Sequence, residues 1–230
     1  MKFFETSKTQ KMSGERVPFT LTYVTYDESS DYIGLSMALL TLTPIFIVVA
    51  LTAILFVISL FESGERNATS TSISFLMGQL VNDGLSRLLK EFVASSEMMR
   101  EMLGDLVNRP LGSDRDECGV PSNHAHSVAF FSTFASYLLL YEVRARKTWV
   151  RDFLIVALYV LMFLVATSRV YLEYHTPEQV SIGVVLGLAF AFLWINLHRF
   201  IIIPELSRLL VRFQDSPKPF IEFSSHRKHS

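Results

Sequence analysis

Two histidines, three cations and a hydroxyl stand out in this sequence by their spacing. Pro121-Ser122-Asn123-His124 opens one apolar run, and Ser168-Arg169 closes the next. His175 follows Arg169 closely, and Gln179 begins the run after it. Lys90 ends an earlier run, with Arg109-Pro110 in the polar interval beyond. Cations gathered at a helix N-terminus suit a phosphate, because free N–H groups and the helix dipole favour an anion there. Two histidines beside such a site suit phosphoryl transfer, one as nucleophile and one as general acid. Singly, each residue has a plainer role. A histidine at a span end is often interfacial, Arg169 can snorkel, Ser122 can N-cap a helix, and Lys90 can anchor a span. Their order and their common face favour the phosphate site.

The elements that carry these residues read as membrane helices. Of 230 residues, 50% are apolar and only 19% charged; a soluble domain has about 25% charged residues. Mean hydropathy is +0.34. Tyr32 to Phe61 contains no charge, and about 20 apolar residues cross a bilayer. Pro44 is placed to kink this stretch. The runs predict an all-α polytopic membrane bundle of about five transmembrane helices, near 34–61, 72–90, 125–141, 153–169 and 179–198. A polar segment, 1–33, precedes this single 34–204 domain, and a cytoplasmic tail, 205–230, follows it. The second span is the most polar. Its Asp83, Arg87 and Lys90 share one helix face, which is expected to point into the bundle, where intramembrane charge marks function. Gly183 and Gly187 have the spacing that lets helices approach closely.

Charge sets orientation and excludes some classes. Arg144, Arg146, Lys147 and Arg151 crowd one short connection, and Arg199, Arg208 and Arg212 follow the last span. Basic short loops stay cytoplasmic, so 91–123 and 169–178 should face the lumen or exterior. Asn67-Ala68-Thr69 is a sequon that this topology leaves unused. The ending Arg227-Lys228-His229-Ser230 is similar to a retrieval signal for the endoplasmic reticulum. The net charge of −1 argues against a nucleic-acid partner. The lone Cys118 excludes an intramolecular disulfide framework.

Joined together, Lys90, Arg109-Pro110, Pro121-Ser122-Asn123-His124 and Ser168-Arg169-x5-His175 resemble the signature of the type 2 phosphatidic acid phosphatase superfamily. Val17-Pro18-Phe19-Thr20, Leu42-Thr43-Pro44, Ser168-Arg169-Val170-Tyr171-Leu172 and Tyr174-His175-Thr176 followed by Gln179 are similar to its dolichyldiphosphatase branch. The resemblance implies His175 as a nucleophile that forms a phosphohistidine, and His124 as the acid that protonates the leaving oxygen and later activates water. It implies Lys90, Arg109 and Arg169 as phosphate-holding cations, and Ser122 with the backbone of Asn123 and His124 as oxyanion donors. Gln179 stands where the superfamily usually has Asp; the dolichyldiphosphatase branch is similar in having Gln. Asn123 replaces a common Gly or Ser but keeps its N–H. No metal or other cofactor is implied, since fixed cations stabilise the charge.

The resemblance further implies hydrolysis of a polyisoprenoid diphosphate, dolichyl diphosphate, to dolichyl phosphate and phosphate. The reaction would recycle the carrier for protein N-glycosylation, in the endoplasmic reticulum membrane with a lumenal active site. One departure bears on activity. The family pattern is Lys, six residues, Arg-Pro; here 97–108 intervenes as an insertion of twelve residues. Either the segment bulges out and keeps Lys90 with Arg109, or it separates them. Two alternatives therefore stand beside the main expectation: a broad lipid phosphate phosphatase, and a catalytically impaired membrane scaffold.

Overall fold

A computed structural model describes residues 16–19, 24–27, 31–61, 66–110, 117–142 and 147–215. A hairpin of β1 (Arg16–Phe19) and β2 (Val24–Asp27) leads into α1 (Asp31–Leu40), α2 (Thr43–Phe61), α3 (Arg66–Ser95) and α4 (Glu97–Leu103). After a 3-10 turn (Gly104–Val107) come α5 (Asn123–Tyr141), α6 (Thr148–Tyr171), α7 (Pro177–Leu197), a π-helical turn (His198–Ile202) and α8 (Ile203–Asp215). The hairpin is antiparallel, with Arg16 opposite Asp27 and Phe19 opposite Val24. It lies in the polar segment that precedes the all-α bundle. Val17, Phe19, Val24 and Tyr26 are β-favouring residue types. Arg144, Arg146 and the basic C-terminal end lie outside the described residues.

The long uncharged stretch forms two helices, bent by 46° at Thr41–Leu42. Pro44 sits in the first turn of α2, where its missing N–H costs no helical bond. The hydroxyls of Thr41 and Thr43 donate to Ala38 O (2.6 Å) and Leu40 O (2.7 Å), capping the end of α1.

Among the described residues, two helical stretches are long and apolar enough to cross a membrane, Thr148–Tyr171 and Pro177–Leu209. The bent pair makes a third if it counts as one span. Five were expected from the sequence. The difference lies in α3 and α5. α5 is packed between α3, α6 and α7, so its serines and histidines are set by packing against protein rather than by lipid. α3 buries a stripe of small and polar residues at four-residue steps, Ser70, Ser74, Gly78, Asn82 and Ser86. That stripe leads up to Lys90.

The core joins α2, α3, α5 and α7 through Ile47, Leu51, Phe75, Phe130, Phe134, Leu138, Ala191 and Trp194. Phe75 meets Phe134 edge to face at 5.0 Å. α5 and α7 cross at glycines. A Cβ on Gly183 would lie 2.7 Å from Ser122 O, and one on Gly187 2.4 Å from His126 O. The outside is the apolar side. α6 buries only Val165, Ser168 and Arg169, while Phe153, Val156, Val160 and Phe163 are exposed. A continuous apolar face of this extent marks contact with lipid or protein.

Candidate active site

The turn between α6 and α7 positions the first group. α6 ends in a reversal in which Glu173 takes a positive φ of 58°. Tyr174 N and His175 N donate to Arg169 O at 3.1 and 3.2 Å, and Glu173 N donates to Val170 O at 3.0 Å. This is a left-handed helix stop, and it folds His175 back under Arg169. α7 starts at once with a capping box. Thr176 Oγ1 accepts from Gln179 N (3.4 Å), and Gln179 Oε1 accepts from Thr176 N (3.1 Å). Pro177 fills the first helical position.

Gln179 fixes the state of His175. Its Nε2 donates to Leu106 O (2.8 Å) and Asn108 O (2.7 Å), so its Oε1 must be the acceptor toward the histidine. His175 Nδ1 lies 3.2 Å from that oxygen and 3.0 Å from Gly119 O. Both neighbours accept, so Nδ1 carries the proton and Nε2 the lone pair. Burial, then the positive charges of Arg169, Arg109 and Lys90, push the imidazole down to about 3, against a smaller upward pull from Gln179. His175 is therefore a buried neutral base with its reactive nitrogen turned away from Gly119 and Gln179.

The cations converge despite the insertion. Glu117 Oε2 lies 3.7 Å from Lys90 Nζ and 3.5 Å from an Arg109 terminal nitrogen. Arg109 also donates to Glu117 O (3.0 Å) and Tyr174 O (3.4 Å). Its side chain is 6% exposed and that of Lys90 13%. The inserted segment forms α4 and the 3-10 turn. α4 contains no buried residue. The end of the segment is tied in by Gly119 N donating to Val107 O (2.7 Å), besides the two Gln179 bonds. Arg169 is buried, its guanidinium 4.4 Å from the centre of the Tyr174 ring.

α5 brings the remaining groups. Ser122 N donates to Gln179 O (3.4 Å), which ties the start of α5 to the start of α7. The Ser122 hydroxyl is fully buried and makes no hydrogen bond among the described residues. A buried hydroxyl in that condition is costly and is poised for an incoming acceptor. Asn123 accepts from Ser86 Oγ (2.8 Å), so its side chain braces α3 while its backbone N–H stays in the unbonded first turn. His124 lines a cleft of ≈ 620 Å³ between α2, α3 and α5. Asp83 and Arg87 flank that cleft, and Arg87 is exposed.

Thus His175, Gln179, Lys90, Arg109 and Arg169 form one cluster, and Ser122 is tied to Gln179. Asn123 and His124 follow Ser122 in the opening turn of α5. Sequence reasoning missed Gly119 and Glu117. A Cβ on Gly119 would fall 2.2 Å from Gln179 Nε2, so only glycine lets this carbonyl reach His175. A glycine two residues before Pro121-Ser122 was the available signal. Glu117 gave none, being one acid among several in a polar loop.

A membrane helix bundle with a buried neutral histidine among three cations defines a phosphate-handling class. The chain belongs to the PAP2 superfamily, whose model matches residues 19–202, the superfamily that the sequence motifs resemble. It is 34% identical over 206 residues to Dolichyldiphosphatase 1 of Mus musculus, covering 84% of this chain and 76% of that protein. Dolichyldiphosphatase 1 of Homo sapiens is 32% identical, with the same coverage. Dolichyldiphosphatase of Saccharomyces cerevisiae is 28% identical over 74% of this chain and 66% of its own. No solved structure matches the chain.

Proposed function

We propose that this chain hydrolyses dolichyl diphosphate to dolichyl phosphate and phosphate. The observation that carries the reading is His175, held neutral with Nδ1 bonded and Nε2 free, within the field of Lys90, Arg109 and Arg169. The His175 Nε2 lone pair attacks the terminal phosphorus in line, forming the N–P bond as the bond to the bridging oxygen breaks. His124 gives its proton to that oxygen, and dolichyl phosphate leaves. Water then attacks the phosphohistidine, His124 takes its proton, and phosphate departs with the N–P electrons returning to His175. The three cations, the Ser122 hydroxyl and the N–H groups of Asn123 and His124 stabilise the charge on the phosphoryl oxygens.

The chain crosses the endoplasmic reticulum membrane five times, with α1–α2, α3, α5, α6 and α7 as spans. The active site faces the lumen, where carrier lipid is released after glycan transfer. The shared Glu117 contact of Lys90 and Arg109 supports a site that stays assembled around the 97–108 insertion.

The test is phosphate release from dolichyl diphosphate by the detergent-solubilised chain in EDTA, beside His175→Ala. The expected result is release by the intact chain and none by the variant. Folded protein without release refutes the substrate. Equal release on phosphatidate and dolichyl diphosphate favours a broad lipid phosphate phosphatase instead.

A further inference from the structure

Arg87 has no role in the chemistry above, although it lines the same cleft as His124 and Asn123. The cleft is graded. Asn123, His124, Asp83 and Arg87 supply polar groups, whereas Pro44, Ile45, Val48, Val49 and Leu80 supply apolar ones. α2 and α3 are consecutive helices that pack on one another. Leu80 lies about two turns below Arg87 on α3, on the side away from Lys90. Gly84 completes the wall, and a Cβ built on it meets nothing within 4 Å. The shape suits a headgroup above and a hydrocarbon chain below.

Position along α3 gives Arg87 its meaning. It precedes Lys90 by three residues, so the two side chains are neighbours on the helix, about 4.5 Å apart along its axis. Lys90 belongs to the cluster around His175. In-line attack puts the leaving oxygen opposite His175, and the acid that protonates it, His124, lies on the cleft wall. The inner phosphate of a diphosphate shares that oxygen, so it must enter the cleft one step from the Lys90 cluster. Among the described residues that line the cleft, Arg87 is the one arginine or lysine. It also offsets Asp83, one turn back, whose carboxylate accepts from Gln79 Nε2 (3.1 Å) and would otherwise repel an anion there.

We propose that Arg87 binds the inner, lipid-attached phosphate in this cleft and thereby selects lipids with two phosphates over lipids with one. The inference rests on the phosphatase reading above and adds the group that distinguishes the two substrate classes. A monophosphate places its single phosphate at His175 and leaves nothing for Arg87 to hold.

The experiment compares kcat/KM for farnesyl diphosphate and farnesyl phosphate, using the full chain in detergent and the variants Arg87→Gln, Arg87→Lys and Gly84→Leu. Loss of a charged hydrogen-bonded contact predicts that Arg87→Gln lowers kcat/KM on the diphosphate by about ten- to a hundredfold. The monophosphate value should change less than about twofold on the same scale. Arg87→Lys should keep most of the preference. Gly84→Leu should lower both values, by filling the cleft shared by both lipid chains, with thermal unfolding unchanged. If Arg87→Gln moves both substrates equally, or neither, this inference falls while the phosphatase reading stands. If the unmodified chain turns over neither lipid, the phosphatase reading falls and takes this one with it.

Discussion

Gln179 uses both halves of its amide at once. The nitrogen holds the loop before Arg109, and the oxygen holds His175 and the cap of α7. Gln179→Glu keeps the length but turns a double donor into an acceptor facing two carbonyls. We expect a loss of about 1–3 kcal/mol in unfolding experiments, and a rise in the His175 pKa from the new negative charge. Nitrogen-15 NMR of labelled histidine reads the second effect. In the parent chain His175 should stay neutral, with its single ring proton on Nδ1, at pH 5. Linkage gives the sign for stability. The unfolded imidazole takes a proton near 6.5, and the folded one only near 3. The unfolded state thus gains protons as pH falls from about 6.5 toward 3, and stability drops over that window. His175→Gln should lose less stability over the same window, measured as the thermal midpoint at each pH.

At the scale of elements, the crossing of α5 and α7 sets the distance between the Ser122 end and the His175 end of the site. Gly183→Ala and Gly187→Ala each force a Cβ against backbone and should cost about 1–3 kcal/mol. Gly183→Ala should also lower kcat, because the atom it meets belongs to Ser122. An unchanged kcat would show that the two ends are not rigidly coupled. The Gly183 and Gly187 spacing was readable in the sequence, as were Ser168-Arg169, His175 and Gln179, because each sits at a helix end marked by composition. The fate of 97–108 was not. Nothing in Glu97–Asn108 announces that α4 stays outside while Leu106 and Asn108 turn back to Gln179, since backbone carbonyls carry no side-chain signature. The apolar runs at 72–90 and 125–141 already marked α3 and α5 as spans, while their polar faces, packed on protein, keep the finished helices below a hydropathy criterion. Arg87 and Lys90 share a face in sequence, yet only the cleft separates their surroundings.

At the scale of the whole molecule, apolar side chains line the outside and small polar ones the seams. The proposed orientation places 91–123 in the lumen and the 142–152 connection in the cytoplasm. Leu111→Asn creates the sequon Asn-Gly-Ser in the first of these. In cells it should gain a glycan removable by endoglycosidase, while Asn67 should carry none; the reverse pattern would invert the topology. The grip of Gln179 on Leu106 and Asn108 has a consequence for how such chains diverge. It holds main chain, so any residue types pass through it as long as two carbonyls arrive in phase. Changes of length before Gly104, in α4 with its lack of buried residues, would leave the contacts of His175 in place. The count of residues between Lys90 and Arg109 is therefore a poor guide to whether a member of this lineage has kept its catalytic competence.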